Sequence, residues 1–286
     1  MAPIYEVLAA AIRSIDPNHI IFYEPVTWGV FNEQFLSGTG FLQVPGGSAY
    51  QSLSIMSYHY YCWILTPADE EIPYPHWKYL LCDVGALSII FSSVLGSRQR
   101  TGGGLFLTEF GLCYPDNMLN DTTTVECRQV LQHADRYIQS WMYWDPIFYY
   151  PNGSLSVGVV RDFSRVYPRA VAGVIRQISF DPDSSNATIR YEYGPTIRLP
   201  TEIFIPERVH YPNGFEVKIV PPSVKYSYNP GNQVLTIWPI WAMRLHLSFN
   251  YWRFLKNFLN RDFSTNMEVT VFIRPKRASY EHNNIL

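Results

Sequence analysis

Gly102-Gly-Gly-Leu-Phe-Leu-Thr-Glu-Phe-Gly111 is the stretch that decides the fold. Its glycines lead into a short apolar run, Leu105-Phe-Leu-Thr-Glu109, which reads as a buried strand with a carboxylate at its far end. Because the glycines precede a strand rather than a helix, they do not form a phosphate cradle. A helical pattern over 75–95 lies upstream and an amphipathic helix over 123–140 lies downstream. Beyond these come three more strand-like runs: His19-Ile-Ile-Phe-Tyr-Glu24, Ser54-Ile-Met-Ser-Tyr-His-Tyr60 and Trp141-Met-Tyr-Trp144. Short strands alternating with helices from residue 1 to about 166 predict parallel α/β construction. Four such βα units make half of an eightfold barrel, which typically takes about 250 residues.

The texture changes at Tyr167-Pro-Arg-Ala-Val-Ala-Gly173. Alternating β runs follow at 188–193, 202–205, 215–220, 224–228, 234–238 and 268–273, separated by Pro, Gly and Asn, and their spacing predicts an antiparallel β-sandwich. The expected organisation is therefore a partial TIM barrel over 1–166 and a sandwich over 167–286. An irregular insertion at about 239–266 does not follow the strand rhythm.

Composition narrows the chemistry. The chain is 47% hydrophobic and 16% charged, against roughly 25% charged in ordinary soluble domains, and 16% of its residues are aromatic. Such a chain is globular, not disordered. With 22 basic and 24 acidic residues it lacks the basic excess of a duplex-binding protein, so no nucleic acid is expected. Four cysteines, Cys62, Cys82, Cys113 and Cys127, allow three pairings, and Cys62–Cys82 with Cys113–Cys127 closes the shortest loops. No C-x-x-C spacing suggests zinc, and no metal or organic cofactor is expected. Sequons at Asn120, Asn152 and Asn186 fit an exported glycoprotein, so the expected location is extracellular or lysosomal. The opening residues read as an amphipathic helix rather than a signal peptide, so a targeting signal is expected outside this sequence. No transmembrane segment is expected, because no run reaches about 18 uninterrupted apolar residues.

In parallel barrels the working residues sit at the C-terminal strand ends. Read in order, those ends carry Glu24, His59 with Tyr61, Glu109, and Trp141 with Trp144. Two carboxylates, a His/Tyr pair and tryptophans suit sugar cleavage: one carboxyl attacks, another donates a proton, and ring faces stack on the apolar faces of sugars. There is no Gly-x-Ser-x-Gly elbow and no His-Glu-x-x-His.

Thr108-Glu109-Phe110-Gly111, Tyr58-His59-Tyr60-Tyr61 and Trp141-Met-Tyr-Trp144 resemble glycoside hydrolase family 5. Ile21-Phe-Tyr-Glu-Pro25 and the 167–173 junction followed by a β domain look specifically like the endoglycoceramidases, over residues 1 to about 238 and again near 268. The resemblance implies a retaining hydrolase that cuts the glucose–ceramide bond of glycosphingolipids at a membrane or micelle surface. It makes the four strands the fifth to eighth of the barrel. Glu109 becomes the nucleophile, the Tyr61 hydroxyl its hydrogen-bond partner, and His59 a substrate contact. Trp144, with Trp141 as second choice, becomes the tryptophan beneath the sugar.

One feature departs from the family. The acid/base of that family is the glutamate of an Asn-Glu-Pro motif ending strand four, and this sequence has none. Glu24-Pro25 follows the Asp16-Pro-Asn-His turn and maps to strand five, so Glu24 is not given that role. The expectation is that this sequence is the C-terminal portion of a longer enzyme and needs a complementary half-barrel. The alternatives are a non-catalytic glycolipid- or protein-binding fragment, or a β-glucosidase of the same family.

Overall fold

The computed structural model describes residues 1–26, 39–62, 64, 76–111, 125–144, 148–150, 152–194, 197–222, 224–239 and 267–276. The chain divides into two compact units, Met1–Val160 and Arg161–Leu286.

In the first unit, helix α1 (Ala2–Ile15) carries a proline in its first turn and ends at Asp16. The Asp16 carboxylate accepts the backbone N–H groups of Asn18 and His19, which makes the expected turn into the first strand. Arg13 is the buried polar residue of α1. Its guanidinium donates to the Leu53 carbonyl (3.2 Å) and Ser54 Oγ (3.1 Å) and lies 4.0 Å over the Tyr50 ring. These bonds tie α1 to the base of the second strand.

Strands β1 (Ile21–Tyr23), β2 (Ser54–Tyr60), β3 (Gly104–Phe110) and β4 (Ser140–Tyr143) form one sheet in the order β1-β2-β3-β4, every pair parallel. Its outer face is a packed layer: Tyr23, Met56, Tyr58, Tyr60, Leu107 and Phe110 are all buried. The chain between β2 and β3 is helical from α2 (His76–Leu80) through a π-helical segment, Leu81–Ala86, to α3 (Leu87–Thr101). Phe91 of α3 meets Tyr58 edge-on at 6.1 Å and stacks on Tyr137 at 5.6 Å. Among the described residues one helical stretch, Leu81–Thr101, is long and apolar enough to cross a membrane, and its apolar side chains Leu87, Ile90, Phe91 and Val94 are buried within this unit. Among the described residues the inner face of the sheet is the more open of the two. Phe22 and Met142 on it are exposed, and Phe22 meets Phe106 at 5.8 Å across it.

Two helix ends differ from expectation. The helix expected to stop near 95 continues to Thr101, where Gly102 in the left-handed region (φ 76°) ends it by returning its N–H to the Arg98 carbonyl. Gly103 is also left-handed (φ 84°), and a Cβ there would lie 2.7 Å from the Ser54 carbonyl oxygen. The helix expected to reach 140, α4 (Val125–Arg136), stops short. Ile138 turns left-handed (φ 55°) and the Gln139 N–H bonds back to the Ala134 carbonyl, which frees Ser140 to begin β4.

The second unit begins within a short helix, α5 (Val157–Phe163). It is built from β5 (Tyr167–Ala170), β6 (Gly173–Asp181), β7 (Asn186–Tyr193), β8 (Thr201–Phe204), α6 (Glu207–His210), β9 (Phe215–Val220), β10 (Val224–Asn229), β11 (Val234–Pro239) and β12 (Met267–Pro275). Two four-stranded antiparallel sheets, β10-β11-β8-β5 and β6-β7-β12-β9, share one core. Ile203, Leu235 and Ile237 come from the first sheet, and Ile189, Tyr191, Val271 and Ile273 from the second. The sequence rhythm misses β6 because Arg176 is a bulge: Ile175 faces Tyr191 and Gln177 already faces Arg190, so the alternation breaks mid-strand. Of the irregular segment 239–266, Pro239 closes β11 and 240–266 lies outside the described residues.

Candidate active site

A second bulge aims the site. From Ser57↔Phe106 and Tyr58↔Leu107, the pairing of β2 with β3 jumps to His59↔Glu109, leaving Thr108 as an extra residue on β3. The β3–β4 pairing shows the same extra residue between Leu107↔Trp141 and Phe110↔Tyr143. Leu107 points into the helix-packed layer, so strict alternation would send Glu109 there too. The bulge shifts the register by one, places Glu109 on the open inner face beside His59, and returns Phe110 to the buried layer. Thr108 is held by its hydroxyl, which donates to the Tyr58 carbonyl at 3.3 Å.

Four of the expected residues converge there. The Tyr61 hydroxyl donates to Oε1 of Glu109 at 2.6 Å. His59 lies between two carboxylates, its Nδ1 3.7 Å from Glu109 Oε2 and its Nε2 3.4 Å from Glu24 Oε1. The Ser57 hydroxyl donates to the other oxygen of Glu24 at 2.9 Å. The side chains of Glu24, His59 and Glu109 are 33%, 27% and 30% exposed, shielded enough to interact strongly and open enough to meet a substrate. Among the described residues no group of three or more His, Cys, Asp or Glu is arranged to hold a metal ion.

The two tryptophans part company. Along β4, Ser140 and Met142 are exposed and Trp141 and Tyr143 half-buried, and beyond its end Trp144 is exposed again. Trp141 packs edge-on against buried Phe110 at 5.9 Å, so its ring lies on the face away from Glu109. Trp144 continues the inner-face series as a residue 61% exposed, while its backbone N–H bonds the Phe110 carbonyl at 2.8 Å. Gly111 makes this join possible. A Cβ there would lie 1.9 Å from the Trp144 carbonyl oxygen and 3.1 Å from the Tyr61 ring, so only a bare Cα fits between the ends of β2 and β4.

Tyr61 is anchored from behind. Cys62 is disulfide-bonded to Cys82 in the π-helical segment, and the Tyr60 hydroxyl donates to the Cys82 carbonyl at 3.2 Å. Cys127 is also disulfide-bonded, and Cys113, its expected partner, lies outside the described residues. Asn152 and Asn186 are exposed, while Asn120 lies outside the described residues. Sequence reasoning passed over Ser57 and the Thr108 bulge. A signal for Ser57 was present, because Ser57, His59 and Tyr61 occupy alternate positions and so share one face of a strand.

Residues 1–147 match the cellulase model of glycosyl hydrolase family 5, and residues 165–242 match the glycoside hydrolase family 5 C-terminal domain. The endoglycoceramidase of Hydra vulgaris is 30% identical over 236 residues, covering 77% of this chain and 39% of its own length. That of Cyanea nozakii is 29% identical over 237 residues, covering 77% of this chain and 41% of its own. The chain thus spans about four-tenths of the length of these curated relatives. Among solved structures, endo-glycoceramidase II from Rhodococcus sp. shares the fold at a TM-score of 0.66 and 23% identity, over 96% of this chain and 55% of that one. Cryptococcus neoformans sterylglucosidase 1 does so at a TM-score of 0.58 and 13% identity, over 96% and 44%.

Proposed function

Because this chain belongs to glycoside hydrolase family 5, we propose that it carries the nucleophile side of a retaining glycosidase that cleaves the glucose–ceramide bond of glycosphingolipids, with Glu109 as the attacking group. The observation that carries this reading is the Glu109 carboxylate on the open strand-end face, one oxygen fixed by Tyr61 at 2.6 Å. The curated relatives named endoglycoceramidase supply the substrate class.

The chemistry follows from the two carboxylate oxygens. Tyr61 occupies Oε1, so Oε2 attacks the anomeric carbon as the bond to the ceramide oxygen breaks. A proton must reach that leaving oxygen, and no Asn-Glu-Pro glutamate is present to give it. We assign it to a facing barrel wall outside the four strands described, which are strands five to eight in this reading. The open inner face, with Phe22 and Met142 exposed, supports such a wall. Water then hydrolyses the glycosyl ester, and two inversions retain configuration. The ring of exposed Trp144 is the platform for the sugar face, His59 is a further substrate contact, and Trp141 serves packing instead. The glycosphingolipid is met at a membrane or micelle surface. Exposed sequons and the disulfides support an extracellular or lysosomal setting.

The test is covalent. A 2-deoxy-2-fluoro glucoside with a dinitrophenolate leaving group needs little acid help, so it should form an ester on Glu109 that peptide mass spectrometry locates. Glu109→Gln should abolish labelling while leaving the far-ultraviolet circular dichroism unchanged. An ester elsewhere, or full labelling of the variant, rejects the assignment.

A further inference from the structure

Ser57, His59 and Tyr61 stand at alternate positions along and just beyond β2, and together they reach a carboxylate on each neighbouring strand. Toward β3, Tyr61 and His59 contact the two oxygens of Glu109 at 2.6 and 3.7 Å. Toward β1, Ser57 and His59 contact the two oxygens of Glu24 at 2.9 and 3.4 Å. The arrangement is nearly symmetrical: an imidazole in the middle, a carboxylate on either side, and a hydroxyl donor closing each end. Glu24 lies just past the end of β1 and its other oxygen is held by Ser57, so it cannot swing away without breaking that bond.

We propose that Glu24 is a positioning residue for the Glu109 reaction: held by Ser57, it fixes the His59 ring from the Nε2 side, so that Nδ1 faces Oε2 of Glu109. This rests on Glu109 being the attacking carboxylate. The physical reason is the placing of the ring: each of its nitrogens faces a carboxylate oxygen, so the ring is held from both sides and losing Glu24 frees one of them. When Glu109 becomes a neutral ester on attacking the anomeric carbon, Glu24 remains as the ring's charged partner. His59 therefore keeps its place for the second step, in which water releases the sugar and Glu109 regains its charge. No electron or atom passes through Glu24.

The contact can be read without turnover. In the full chain carrying nitrogen-15 histidine, the Nε2 resonance of His59 should move in Glu24→Gln and return toward the wild-type position in Glu24→Asp, which keeps the charge on a shorter arm. The Nδ1 resonance should move in Glu109→Gln. Glu24→Gln should also slow ester formation by the activated 2-fluoro glucoside about tenfold, the scale of one lost charge-assisted contact. It should shift the pH profile of that reaction to lower pH, because a negative charge has left the cluster, whereas Glu24→Asp should keep the wild-type profile. The proposal is overturned if the ring resonances ignore Glu24→Gln, or if Gln and Asp slow labelling equally with an unmoved profile, which is the pattern of a merely structural residue. Labelling that survives Glu109→Gln rejects the nucleophile instead, and the histidine spectra distinguish that failure from this one.

Discussion

The Tyr61 hydroxyl donates a hydrogen bond to one oxygen of Glu109 at 2.6 Å. Tyr61→Phe keeps the ring and removes only that donor, so kcat on an activated glucoside should fall ten- to a hundredfold, the range of one hydrogen bond to a charged group, with KM little changed. A rise in KM at constant kcat would mean that the hydroxyl binds substrate instead. Gly111 makes a different kind of demand. A methyl group at that position meets the Trp144 carbonyl oxygen at 1.9 Å, so Gly111→Ala must push β4 away. The expected cost is about 1–3 kcal/mol of stability, visible as a lower melting temperature, and an unchanged melt would show that the strand ends are looser than drawn. Much of this was legible in the sequence. Glu109, His59 and Tyr61 stand at strand ends, where barrels keep their chemistry. The face that Ser57 shares with His59 and Tyr61 could be read from alternation, but its partner Glu24 and the shared use of His59 by two carboxylates could not, since a serine in a strand names no partner until the neighbouring strand is in register. Trp144 stood ahead of Trp141 only through the family resemblance until β4 had a buried face.

At the scale of elements, the sequence failed where the backbone departs from ideal periodicity. The Arg176 bulge concealed β6, and the left-handed Ile138 ended α4 although isoleucine is no turn signal. The Thr108 bulge is the case with consequences, because alternation read from Leu107 would have buried the very carboxylate that the strand-end rule exposes. The π-helical segment Leu81–Ala86 is another such departure, and the Cys62–Cys82 disulfide ties it to the residue after Tyr61. The bridge spans a sequence separation of 20 residues, for which the chain-entropy view gives about 3 kcal/mol. Replacing both cysteines by serine should cost stability on that scale and should also slow ester formation on Glu109, since the strand end that carries Tyr61 loses its anchor. Calorimetry and the labelling rate check the two effects separately. A destabilised variant that labels at the wild-type rate would make the disulfide a general staple with no part in placing Tyr61.

Across the whole molecule, each unit shields a histidine from water beside arginine side chains, His133 half-buried and His210 buried. His133 of the first unit lies against the rings of Phe91 and Tyr137, and burial lowers its pKa below the ordinary 6.5. His210 of the second accepts or donates at both nitrogens, to Ser185 Oγ at 2.9 Å and the Arg161 carbonyl at 2.8 Å, and burial again lowers its pKa below 6.5. With Nε2 bound to a carbonyl, that nitrogen carries the hydrogen and Nδ1 accepts from the serine, an arrangement a doubly protonated ring cannot keep. The sign follows from linkage: the unfolded chain takes up protons at these rings from about pH 6.5 downward while the folded chain resists, so stability is whole above that value and drains away as pH falls through the lowered folded values. Asp16, held below 3.8 chiefly by the hydrogen bond from His19, adds its own loss as pH falls below that value. Melting temperature should therefore decline between pH 7 and pH 5. His210→Asn should flatten the decline of the second unit's transition, and His133→Phe that of the first. A melt independent of pH across that range would show that both rings are reached by water.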